Sequence, residues 1–289
     1  MRARSASRGR RSPGAAAVLA TGVTGAVVTW IGYRGTERIL GERWRRENFQ
    51  GVQVTLAEGT ALSLGACVGA ACAPGVPGRA RLAGVLAAGS AAVLGAYDDA
   101  VGGRGARGFR GHLKALREGR LTSGTVKLFG IAAGSLGAAA LVSTRPRDVA
   151  VNTILIAGSA NLVNLLDLRP GRAAKAALLM GAPTLPGEGA AFSAAALGPV
   201  LAVLPADLHE DGMLGDGGAN TIGALLGLSY AVGGTSRTRA VSAASLVVLT
   251  VASEAVSFSR VIDAVPPLRW LDRLGRGAEA GPETDARRP

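Results

Sequence analysis

The sequence predicts an all-α, polytopic membrane helix bundle of about nine transmembrane helices, with eight to ten as the range. Two observations predict it. The first is charge segregation: runs of about 16–20 residues carry almost no charge, and the segments between them hold most of the 29 arginines. A helix on a soluble surface would show polar residues every three or four positions. Uncharged segments of this length instead suit bilayer spans. The second is composition: 48% of residues are hydrophobic but only 4% aromatic, and 43 are glycine. Small residues let helices approach closely where lipid offers no hydrophobic drive.

Taken in order, a basic tail at 1–13 with five arginines precedes a first span at about 14–33. Tail and span together are similar to a secretion signal, but no small-x-small cleavage site follows, so the span is read as uncleaved. Further spans are expected at about 54–73, 81–97, 124–143, 148–166, 172–186, 190–206, 219–234 and 240–256, the sixth short and interrupted by proline. Residues 14–274 are read as one domain, and the polar 275–289 as a disordered C-terminal tail. "GACVG" (65–69), "GIAAG" (130–134) and "GALLG" (223–227) are small-xxx-small patterns, each of which chance alone could supply in so glycine-rich a chain. Cys67 and Cys72 share one span at a spacing that suits neither zinc nor a redox pair, and read as packing residues.

The net charge of +12 does not indicate a nucleic-acid partner, because no stacking aromatics are interleaved with the basic residues and no zinc or helix-turn-helix pattern occurs. The positive-inside rule accounts for it better. One set of alternate loops (34–53, 98–127, 167–175, 207–218, 257–289) collects 21 Lys and Arg; the other set holds 6, with 5 more in the N-terminal tail. The first set is expected to face the cytoplasm, which places the active side on the cytoplasmic face of the plasma membrane. An odd span count then puts the basic tail on the other side.

Three polar clusters fall on that face. In "AYDDAVGGRGARGFRGHLKALREGRLTSGTVK" (96–127), Asp98 and Asp99 end a span and a loop with seven basic residues follows, Lys114 and Lys127 among them. Anions are disfavoured at a helix C-terminus, whereas paired carboxylates beside cations suit a metal and phosphates. The glycines at 103, 105 and 108 form GxGxxG, but without the βαβ context of a dinucleotide fold they read as loop. In "NLVNLLDLRPGRAAK" (161–175), Asn161, Asn164 and Asp167 recur every three residues and share a helix sector. Pro170-Gly171 breaks that helix, and Arg172 and Lys175 open the next. In "LHEDGMLGDGGANTIG" (208–223), Asp216 and two glycines open an apolar helix that includes Asn220, and a helix N-terminus is a ready anion site. The two histidines, His112 and His209, give no zinc spacing.

In this order, "GAYDDAVG", "NLVNLLD" and "LGDGGAN" resemble the hallmarks of the polyprenyl-phosphate N-acetylhexosamine-1-phosphate transferases. That superfamily includes the phospho-N-acetylmuramoyl-pentapeptide and undecaprenyl-phosphate GlcNAc-1-phosphate transferases. "NFQGVQVTLAEG" (48–59) is similar, more weakly, to the family's first cytoplasmic loop, and the likeness spans about residues 30–260. The resemblance implies an enzyme that moves a sugar-1-phosphate from a UDP-sugar donor to a polyprenyl phosphate acceptor for a cell-envelope polymer such as peptidoglycan. It implies Mg²⁺ as cofactor, with Mn²⁺ as alternative, held by Asp216 and Asp99. By the same resemblance Asp98, Asp99, Asp167 and Lys114 are catalytic, while Asn48, Asn161, Asn164, Arg172, Lys127 and Asn220 bind substrate, and a homodimer is left open. The sequence departs from the pattern at Glu58, which replaces a glycine, and at Pro170-Gly171-Arg172. It also lacks the family's histidine-rich last cytoplasmic loop, in place of which stands "SFSRVIDAVPPLRWLDRLGR" (257–276) with Arg260, Arg269 and Trp270. Two other readings are a non-catalytic lipid-phosphate binder and a cation-coupled transporter. The latter would want charges at the bilayer midplane and repeated halves.

Overall fold

The computed structural model describes residues 12–40, 45–47, 53–101 and 108–276. Asn48, the glycines at 103 and 105, and most of both tails lie outside the described residues. Among the described residues the regular structure is helical apart from one short antiparallel pair: β1 (Arg45–Glu47) pairs with β2 (Gln53–Thr55), Arg46 standing opposite Val54. Around it run α1 (Ala15–Leu40), α2 (Ala57–Cys72), α3 (Gly78–Val101), α4 (Gly108–Arg117), α5 (Ser123–Val142), α6 (Pro146–Leu166), α7 (Arg172–Gly181), α8 (Ala190–Leu208), α9 (Gly215–Gly233) and α10 (Ser236–Ser253). Two short helices, α11 (Phe258–Ala264) and α12 (Pro266–Arg273), close the described chain.

Helix starts follow local chemistry. Thr122 caps α5 by accepting the N–H of Thr125 at 3.1 Å, and Thr235 does the same for α10 from Thr238 at 3.1 Å. Pro146 opens α6, where its missing N–H costs nothing. Pro183 and Pro186 end the sixth expected span early, so that α7 stops at Gly181 and a single 3₁₀ turn follows. The loop expected over 98–127 contains α4, and α3 runs on past the carboxylate pair to Val101.

Among the described residues five helices are long and apolar enough to cross a membrane: Ala15–Thr36 within α1, then α3, α5, α6 and α8. A sixth arises if α10 and α11, bent by 97° at a short break, are one broken span. The count falls short of nine for physical reasons. α2 has 16 residues and α7 only 10, while α9 carries Asp216 and many glycines, which lower its hydropathy. The outward surface is that of a membrane protein. Leu19, Val23, Trp30 and Ile31 of α1 and Val247, Val248 and Val251 of α10 are exposed, an apolar belt too large for a water-facing monomer.

α9 is the axis of the bundle, buried over most of its length and packed by α6, α3, α8 and α2. The pattern "GALLG" explains how. A Cβ on Gly223 would strike the backbone of Ser159 and Ala160, and one on Gly227 that of Leu155 and Ile156. The two glycines therefore seat α9 directly on α6, as small-xxx-small contacts do.

At the end of the bundle where α6 stops, the C-terminal helices are tied down by charge. Asp272, 5% exposed, accepts from Arg172 Nε at 2.7 Å and Nη2 at 3.2 Å and pairs with Arg276 at 2.8 Å. Lys175 Nζ donates to the carbonyls of Asp272 (2.5 Å) and Leu274 (3.1 Å). Burial pushes the Asp272 carboxyl up, but the Arg172 hydrogen bonds, with the charges of Arg172, Arg276 and Lys175, win and hold it below the ordinary carboxylate range. A carboxylate lowered on folding adds stability that is complete above its unfolded pKa of about 3.9 and is lost as pH falls through the lowered folded value. Thermal melts between pH 7 and 3 should therefore lose less stability in Asp272→Asn than in the parent, with the difference confined to below about pH 4.

Candidate functional site

The site is built on the first turn of α9. Gly215, its first residue, has φ 60°, a left-handed conformation natural to glycine, and a Cβ there would also stand 2.9 Å from Asp99 Oδ2. The turn presents its free amides to α3. Asp99 Oδ1 accepts the N–H of Asp216 and Oδ2 that of Gly217, each at 3.1 Å. An anion at a helix N-terminus satisfies orphan donors and the helix dipole together. Asp98, about 100° further round α3, pairs with Lys127 Nζ of α5 at 2.6 Å. The same ammonium also bonds the Asp216 carboxylate. Asn220, one turn along α9, donates to the backbone carbonyl of Asp216 at 2.6 Å.

The second cluster arrives from α6. Asp167 caps that helix, its N–H bonded to the Asn164 carbonyl at 3.1 Å, and its carboxylate accepts from the Gly215 amide. Burial above all, then the negative charges of Asp207, Asp216 and Asp99, push the Asp167 carboxyl well above its ordinary range. Asn161 donates to Thr250 of α10 at 3.2 Å. Between α5, α6, α9 and α10 lies a cavity of about 390 Å³. Lys127, Asn161, Asn164 and Asn220, with Thr250, Ser253 and Glu254, make up its polar lining, while Leu128, Ile131 and Ala157 contribute apolar surface.

Asp98, Asp99, Asp167, Asp216, Lys127, Asn161, Asn164 and Asn220 are thus gathered at one end of the bundle. Two expected site residues stand apart. Lys114 is exposed on α4 with no bond to the cluster among the described residues, and Arg172 is buried in its pair with Asp272.

Two carboxylates escaped the sequence reading as site residues. Glu58 at the start of α2 is fully buried, with neither oxygen bonded among the described residues; the negative charges it feels most are Asp207, then Asp167 and Asp211. Asp207, 3% exposed, has one oxygen, Oδ2, without a partner among those residues. Burying an ionised carboxylate without a partner costs several kcal/mol, on the order of 3–5. The only signal was that Glu58 is the one charge in "VTLAEGTALSLG".

Among the described residues no group of three or more His, Cys, Asp or Glu side chains is arranged to hold a metal ion. The arrangement does contain two carboxylates, Asp98 and Asp216, that meet one cation, the Lys127 ammonium. No protein-family model and no curated protein matches the chain.

Proposed function

We propose that the chain is a membrane sugar-1-phosphate transferase that moves a (N-acetyl)hexosamine-1-phosphate from a UDP-sugar to polyprenyl phosphate. The observation that carries this reading is the meeting of Asp98 and Asp216 on one cation, beside a cavity lined by both amide and aliphatic side chains. In the reaction an oxygen of the acceptor phosphate attacks the phosphorus that bears the sugar. The bond from that phosphorus to the UMP oxygen breaks, UMP leaves, and a lipid-linked pyrophosphate sugar remains. Bringing two phosphates together requires cations and a pre-set polar frame.

Two carboxylates suit Mg²⁺, which takes one or two such ligands and completes its shell from phosphate and water; Asp98 and Asp216 are the residues that would hold it. When bound it would neutralise phosphate charge and polarise the reacting phosphoryl oxygens. Asp99 fixes the α9 turn that carries Asp216. Lys127 lies on the cavity wall, so its ammonium can pass from the carboxylates to an incoming phosphate. Asn161, Asn164 and Asn220 offer neutral amide donors to phosphate or sugar oxygens without adding repulsion. The aliphatic lining of the cavity suits a prenyl chain. The same reading counts nine membrane-embedded helices, adding α2, α7 and α9 to the five long spans and α10, with the site on the cytoplasmic face and cell-envelope polymer synthesis as its use.

In detergent with Mg²⁺ and undecaprenyl phosphate, a panel of UDP-sugars should yield UMP from at least one donor. Chelation should stop it, and Asp216→Asn or Asp98→Asn should slow it by about 10³-fold or more. Folded protein that releases UMP equally well without acceptor, or with both variants at parental rate, would sink the proposal. Glu58 favours no separate reading, but the absent histidine-rich loop keeps a non-catalytic lipid-phosphate binder as the second one; such a protein would bind the acceptor and turn over no donor.

A further inference from the structure

The segment 257–276 takes no part in the site just described, yet its charges are sorted by sign. Both of its acids are paired, Asp263 half-exposed and Asp272 buried. Asp263 accepts from the two terminal nitrogens of Arg169 at 3.1 and 2.9 Å, and Asp272 is buried against Arg172 and Arg276. Three of its four arginines turn outward: Arg260, Arg269 and Arg273 are exposed and make no ion pair among the described residues. Four arginines stand against two acids in this segment, and since both acids are paired, its unpaired charge among the described residues is all positive.

That face is also apolar. Trp270 is 66% exposed, and Val265 and Leu268 are exposed beside it. A tryptophan flanked by arginines on an outward helix face suits the membrane–water boundary, where the ring sits at headgroup depth and the guanidinium groups reach the phosphates. Orientation agrees. α11 departs from α10 at 97°, so where α10 crosses the bilayer α11 lies along its plane. Asp263 on α11 pairs with Arg169, two residues beyond Asp167, so this occurs at the site's end of the bundle.

We propose that α11 and α12 form a membrane-surface element that binds anionic lipid headgroups through Arg260, Arg269 and Arg273, with Trp270 at the interface. The occupant is an anionic phospholipid, because the unpaired charge of the segment among the described residues is all positive and its exposed apolar side chains need a boundary that is part hydrocarbon. The buried Arg172–Asp272 pair holds the element rigid against α7, so the face is preformed. An arginine near an anionic leaflet favours contact by roughly fivefold. This inference is independent of the transferase reading.

The test uses the full chain with Trp30→Phe and Trp44→Phe, leaving Trp270 as the only tryptophan, in nanodiscs of phosphatidylcholine with about one-third phosphatidylglycerol. Lipid brominated near the headgroup should quench Trp270 at least about twofold, more strongly when the bromine is on phosphatidylglycerol than on phosphatidylcholine, while aqueous iodide quenches little. Replacing Arg260, Arg269 and Arg273 by Gln should erase the preference for the anionic lipid and leave the melting temperature unchanged, since these side chains make no ion pairs among the described residues. Free iodide quenching without lipid quenching would overturn the proposal. So would equal quenching by both lipids in the parent, or protection from lipid and iodide alike, the last meaning that another protein surface covers the face.

Discussion

Asp272→Asn should cost about 3–5 kcal/mol of stability, the largest effect expected of any single substitution outside the packed core. The reason lies in what remains rather than in what is lost. Arg172 is only 4% exposed, and its two bonds to Asp272 account for most of its hydrogen bonding, a third going to Ser259 at 2.8 Å. With the carboxylate gone the guanidinium stays buried without its counter-charge, and Arg276 and Lys175 stand near it with like charge. The same change releases α12, so melting in detergent should broaden as well as shift. A pair exposed on the surface would be worth about 0–1 kcal/mol, so a shift that small would mean that water reaches the pair and α12 is not docked.

Gly95→Ala should cost about 1–3 kcal/mol and, if the proposed transfer reaction holds, lower its turnover by about 10²-fold or more. A Cβ at this position would stand 2.5 Å from the carbonyl oxygen of Asp216 and 2.6 Å from the Cα of Gly217. Both are backbone atoms, which cannot rotate away as a side chain can, so the first turn of α9 must move off α3. Its amides would then leave Asp99, and Asp216 would fall out of register with Asp98 and Lys127. Gly89→Ala is the control on the same helix, because its Cβ would meet nothing within 4 Å. If Gly95→Ala melts and turns over like Gly89→Ala, the close contact of α3 with α9 does not position the site.

How much of this could be read from the sequence depends on the range of the interaction. The long apolar helices were legible because charge segregation is a local property. The gathering of Asp98, Asp99, Asp167 and Asp216 was legible because each sits at a helix end, and helix ends on one side of a bundle share a plane. What those residues hold was not legible. Asp99 reads as a metal ligand by resemblance, yet both its oxygens take backbone amides of α9, a contact set by the packing of two helices more than 100 residues apart. Arg172 reads as a phosphate binder but is committed to Asp272, and that pairing depends on the 97° turn after α10, for which the sequence carries no marker. Lys127 and Lys114 look alike in their loop. One opens a helix packed on α3 and reaches two carboxylates, and the other rides an exposed amphipathic helix. Glu58 was noticed only as a departure from a glycine pattern, since burial without a partner is a property of the assembled bundle.

The central claim is phosphoryl transfer at the Asp98–Asp216–Lys127 cluster, and the chemical form of the lipid product tests it most directly. Polyprenyl phosphate, Mg²⁺ and a UDP-N-acetylhexosamine would be incubated with the protein, and the lipid fraction weighed by mass spectrometry. A product heavier than the acceptor by one sugar-1-phosphate, formed by the parent and absent with Asp216→Asn, is the predicted result. A product carrying the sugar without a second phosphate, or an unchanged lipid with every donor while the protein remains folded, would contradict it.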